Sequence, residues 1–117
     1  MRVLVTGSSD YENTPHAVNK IHMRLNLILA LADSFEEKLT VVYGNGERGV
    51  DGIVDRWIIR RQGDVHPEPL PTGGWQHGRM VQTACLLGPV DFWFAFGGEE
   101  PMKTLKVMGA VYPRHIR

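Results

Sequence analysis

Apolar positions along the chain switch between two periods. Arg2 to Thr6 is a β-rich run ending at Gly7-Ser8-Ser9-Asp10, where flexible φ and short polar side chains favour a turn. Thr14 then stands where a helix N-cap belongs and Pro15 at the first helical position, and Val18, Ile21, Leu25, Ile28 and Ala32 recur at helical spacing. This predicts a helix over roughly 15 to 33. A second β-branched run, Leu39 to Tyr43, breaks at Gly44-Asn45-Gly46, and Val50, Ile53, Val54, Trp57 and Ile58 mark one apolar helical face. The unit repeats as strand, glycine loop and helix.

Beyond Gln62-Gly63 the pattern weakens to a short strand around Asp64 to His66, then a loop carrying Pro67, Pro69, Pro71 and Gly73-Gly74. Trp75 to Leu87 reads as a helix, with Met80, Ala84 and Leu87 on one side and Gly88-Pro89 at its end. Phe92-Trp93-Phe94-Ala95-Phe96 is apolar at every position, the pattern of a strand buried on both faces of a parallel sheet, and it stops at Gly97-Gly98. A helix over Pro101 to Met108 and a short strand near Ala110 to Tyr112 follow. The expectation is one α/β domain over residues 1–117, with a mainly parallel sheet of about five strands, helices on both faces and right-handed crossovers. Loops 7–10, 44–49 and 97–100 then meet at one sheet edge, outside the carboxyl ends of the strands, where such folds bind ligands.

Composition narrows the reading. At 117 residues and 43% hydrophobic content, one domain can build a core without staples. Thirteen Lys+Arg balance thirteen Asp+Glu, which removes the drive for non-specific nucleic-acid binding, although a local basic stripe survives such cancellation. Cys85 is the single cysteine, so an internal disulfide is excluded and a reducing compartment suits the chain. The longest apolar run, Leu25 to Ala32, is interrupted by Asn26 and is too short for a membrane span, and the run MRVLVTG reads as too short and too soon broken by glycine for a secretion signal. These features point to a cytoplasmic protein. Apolar Leu27, Leu29 and Leu31 lie beyond the main stripe of the first helix, and this wide face predicts self-association into a homo-oligomer.

Several loop residues have candidate chemistry. Gly7, Ser8 and Ser9 can offer N–H groups and hydroxyls to a phosphate, and an ordinary βα turn explains the same residues. The spacing is neither a Walker motif nor Gly-x-Gly-x-x-Gly, and no cofactor is expected. Gly44, Gly46 and Gly49 tighten the second loop, where Asp51 can cap the helix or accept a ribose hydroxyl. Glu99 and Glu100 are candidate acid/base groups, or two solvated carboxylates in the first turn of a helix. His66 and His77 lack metal-ligand spacing, and no metal is expected. Trp57 and Trp93 read as core, whereas Trp75 beside Gly73-Gly74 can stack on a base or plug a helix end.

MRVLVTGSSD, YGNGERGVDGIVDRW and HGRMV followed by FWFAFGG, in that order, resemble the SLOG superfamily, and more closely its small YspA/YpsA-related branch. That branch is kin to the lonely-guy phosphoribohydrolases and to DNA-processing protein A. The most specific piece is the spacing of Gly44, Arg48, Gly49, Asp51, Arg56 and Trp57. The resemblance implies a Rossmann-like fold and a pocket for a nucleotide or nucleotide-derived ligand. The chain departs from the branch at Ser9, at Gln76 and His77, and at Gly97-Gly98-Glu99-Glu100, where related enzymes carry further phosphate contacts. Losing such contacts lowers affinity steeply. The leading expectation is therefore a binding protein, a sensor or sequestering module, using Gly7, Ser8, Ser9, Gly44, Gly49, Asp51, Arg79, Gly97 and Gly98. Its rivals are a nucleoside-monophosphate N-glycosidic hydrolase with Glu99 or Glu100 as acid/base, and an assembly module with a vestigial pocket.

Overall fold

A computed structural model describes residues 1–7, 11, 13–44, 48–61, 63–70, 89–97 and 106. The element order is β1 (Arg2–Gly7), α1 (Pro15–Ser34), β2 (Leu39–Gly44), α2 (Gly49–Ile59), β3 (Val65–Leu70) and β4 (Phe92–Phe96). The strands pair in parallel in the order β3-β2-β1-β4. This is a Rossmann-like α/β arrangement, in which the chain winds outward from β1 through β2 to β3 and resumes on the other side of β1. Among the described residues the sheet has four strands where the sequence predicts about five. The predicted strand at 110–112 and the helix at 75–87 lie outside the described residues, as does the helix at 101–108 except for Lys106, which is helical.

Local chemistry explains the two helices. Thr14 is the N-cap of α1, its Oγ1 accepting from the Ala17 N–H at 3.2 Å, and Pro15 follows at the first position. At the other end the Glu36 N–H donates to the Asp33 carbonyl at 3.0 Å and the Glu37 N–H to the Ala32 carbonyl at 2.9 Å. This is a Schellman closure, and it places Glu36 at φ 56 in the left-handed region usually given to glycine. In α2, Asp51 lies in the first turn and Arg56 in the last, each complementing the helix dipole.

Both crossovers step in the same direction, so α1 and α2 cover one face of the sheet. There Val3, Val5, Leu39, Val41, Tyr43 and Val65 pack with Ile21, Leu25 and Ile28 of α1 and Val50, Ile53, Val54 and Trp57 of α2. Each such side chain contributes about 1.5 to 3 kcal/mol of burial. Leu4, Thr6 and Val42, whose side chains alternate to the other face, are also fully buried. Trp57 pins the two helices together: its Nε1–H donates to Asn26 Oδ1 at 3.0 Å, and Arg61 Nη2 donates to the same oxygen at 2.9 Å.

Two sequence expectations are corrected. The third strand continues past His66 through two prolines to Leu70. Pro67 and Pro69 have the same parity, so both missing N–H groups face away from β2, and His66, Glu68 and Leu70 are left to donate on the side that pairs. Prolines at alternate positions on an outer strand leave its ladder intact. The aromatic strand β4 is not buried on both faces: Phe92 is 37% exposed and Trp93 to Phe96 are half-buried. It is an outer strand of the described sheet, with β1 on one side.

Candidate functional site at the carboxyl edge of the sheet

The register places Gly7 opposite Phe96 and Val5 opposite Tyr43, so β1, β2 and β4 end at one edge. The break in strand order falls between β1 and β4: the chain leaves β1 toward β2 and β3, and β4 pairs on the other side of β1, the position at which folds of this kind hold ligands. Gly7 and Gly97 stand at this point, with Gly44, Gly49 and Asp51 beside them at the end of β2. Ser8, Ser9, Arg79, Gly98, Glu99 and Glu100 lie outside the described residues.

Two glycines expected to admit a ligand are backed by the first turn of α2. A Cβ on Gly7 would lie 2.7 Å from Val50 Cβ and 2.8 Å from the Phe96 carbonyl oxygen. A Cβ on Gly44 would lie 2.9 Å from both Asp51 Cγ and Asp51 Oδ1. Absence of a side chain at these two positions lets α2 seat against the ends of β1 and β2. Gly49 at φ 61 opens α2 and Gly97 at φ 92 follows β4, conformations in which an L side chain is strained. Asp51 is half-buried, with Oδ1 shielded from solvent, so its carboxylate occupies the positive end of α2.

Tyr11 is a residue of this edge that pattern reading missed. Its ring meets Phe96 edge to face, with centroids 6.1 Å apart and planes at 64°, and its hydroxyl donates to the Ala17 carbonyl at 3.3 Å. This puts a half-buried aromatic pair beside Gly7 and Gly97. An aromatic in a loop carries no periodicity, and only the contact with β4 reveals it. Further from the edge, the Tyr43 hydroxyl donates to Asp55 Oδ1 at 2.8 Å, and burial, followed by this bond, pushes its ionisation well above the usual phenol range. Among the described residues, no three His, Cys, Asp or Glu side chains group as a metal site, and no helix is long and apolar enough to cross a membrane.

No family model matches the chain, and no curated protein or solved structure matches it.

Proposed function

We propose that the carboxyl edge of the sheet binds a nucleotide or nucleotide-derived small ligand, as a sensor or sequestering module. The observation that carries this reading is the position of the break in strand order, with Gly7, Gly97 and the Tyr11–Phe96 ring pair gathered on it. Val50 closes the Cβ side of Gly7, so the glycine offered to a phosphate is Gly97, and the aromatic pair offers a face or edge to a base. Asp51 fills the positive end of α2 with a carboxylate, which suits a hydroxyl there and sends the phosphate toward β1 and β4. The likeness of Gly44 through Trp57 to the SLOG branch supports the same ligand class.

The test is a thermal-shift and calorimetric screen against nucleoside monophosphates. A ligand at 100 times its dissociation constant stabilises by about 2.7 kcal/mol, a readily visible shift. Arg79→Ala is expected to weaken binding about tenfold or more, by removing a charge-assisted contact, while Glu99→Gln and Glu100→Gln leave affinity nearly unchanged. No shift with any monophosphate refutes the proposal. Release of free base transfers it to the hydrolase reading.

A further inference from the structure

The helical layer carries a concentration of positive charge unrelated to the sheet edge. α1 has no Asp or Glu from Pro15 to Ala32, while α2 and the residue pair after it place Arg56, Arg60 and Arg61 near His22 of α1. Burial, with the Arg61, Arg60 and Arg56 guanidiniums after it, holds His22 below the ordinary imidazole value. Arg56 and Arg60 are exposed. Among the described residues the ion pairs are Met1–Glu37 and Arg2–Glu68, so neither arginine has a carboxylate partner. Asp55, adjacent to Arg56 in sequence, receives the Tyr43 hydroxyl. Ile59 lies one turn beyond Arg56 and is 63% exposed.

We propose that this surface, formed by His22, Arg56, Ile59, Arg60 and Arg61, docks a short acidic segment of a partner protein whose carboxylates flank an apolar side chain. Unpaired guanidiniums match carboxylates in geometry and charge. Single-stranded nucleic acid fits less well, because it needs an aromatic face on which bases stack. Trp57 is fully buried, and the Arg61 guanidinium lies over its ring, 4.3 Å from the centroid. The exposed apolar group here is the aliphatic Ile59. Arg61, held by Asn26 and stacked on Trp57, gives the surface one fixed guanidinium beside two free ones.

The test uses fluorescence anisotropy with the full chain and three labelled probes: a peptide in which glutamate pairs flank leucines, its counterpart with glutamine for every glutamate, and oligouridine. The acidic peptide is expected to bind, and the glutamine peptide about tenfold or more weaker. The double variant Arg56→Glu with Arg60→Glu is expected to weaken the acidic peptide by at least about tenfold without changing the circular dichroism, since both side chains are exposed. Ile59→Ser is expected to weaken it a few-fold. Undetectable binding of the acidic peptide, or equal affinity in wild type and double variant, overturns the proposal. Oligouridine binding more tightly, with loss in the double variant but not in Ile59→Ser, assigns the surface to nucleic acid. A fall from dimer to monomer mass in the double variant assigns it to a second copy of this chain.

Discussion

Gly44→Ala is expected to destabilise the protein, and the same substitution is expected to be harmless once Asp51 has been truncated. The added Cβ would lie 2.9 Å from Asp51 Cγ and Oδ1, and its three nearest atoms all belong to that one carboxylate. Separations below 3.0 Å force a shift, and overpacking of this kind costs about 1 to 3 kcal/mol. The Gly44 backbone is not among the positive-φ glycines, so alanine meets no conformational penalty of its own. Asp51→Ala alone removes a carboxylate from the first turn of α2 and should cost at least about 0.3 to 1 kcal/mol, the dipole contribution. In the double variant the obstruction is gone, and alanine is favoured over glycine in a strand by about 0.5 to 1 kcal/mol. The cycle should therefore close with a coupling of about 1 to 3 kcal/mol, measured by urea unfolding monitored by circular dichroism. Gly7→Ala provides the contrast: its Cβ would meet Val50 Cγ2, Val50 Cβ and the Phe96 carbonyl oxygen, and Val50→Ala removes only the first of these, so it should rescue the substitution only in part. Equal costs for Gly44→Ala in both backgrounds would refute this account of how α2 is seated.

Three further outcomes follow from single contacts. Glu36→Gly should stabilise by roughly 1 kcal/mol in denaturant titration, because Glu36 closes α1 at φ 56, where glycine carries no Cβ penalty. Asn26→Ala should cost about 1 to 3 kcal/mol, since it leaves the Nε1–H of buried Trp57 without its acceptor; a cost near zero would mean that the hydrogen bond does not join the helices. His22 is held below the imidazole value in the folded state, so between the folded and unfolded pKa the unfolded chain binds more protons. Stability should fall as pH drops below about 6.5 toward the folded value, and His22→Gln should remove that part of the slope.

Self-association remains a proposal with a direct check. Leu27 is 60% exposed, whereas Leu29 and Leu31 are half-buried, so the wide apolar face of α1 is narrower than its sequence suggests. Light scattering that gives a mass near 13.2 kDa at micromolar concentration would end that expectation.

Local signals determined much of this protein. Thr14 and Pro15 start α1, glycines end β1 and β2, and helical spacing selects Ile21, Leu25, Ile28, Ile53 and Trp57 for the core. These signals are legible because each depends on a few neighbouring residues: a cap, a missing Cβ, a 3.6-residue period. Alternating strands and helices also implied a parallel sheet, since such strands need crossovers. Tertiary structure decided the rest. Pro67 and Pro69 lie within a strand because β2 pairs with their neighbours, a fact of register that no local propensity contains. The aromatic strand is half-buried because of its place in the sheet, and composition is blind to strand order. Gly7 and Gly44 are small because Val50 and Asp51 arrive against them from another element, and Tyr11 joins the edge because Phe96 ends there. The basic surface arises the same way: charges that cancel along the chain are separated when α1 and α2 pack side by side, placing His22 near three arginines that lie more than thirty residues further along the chain.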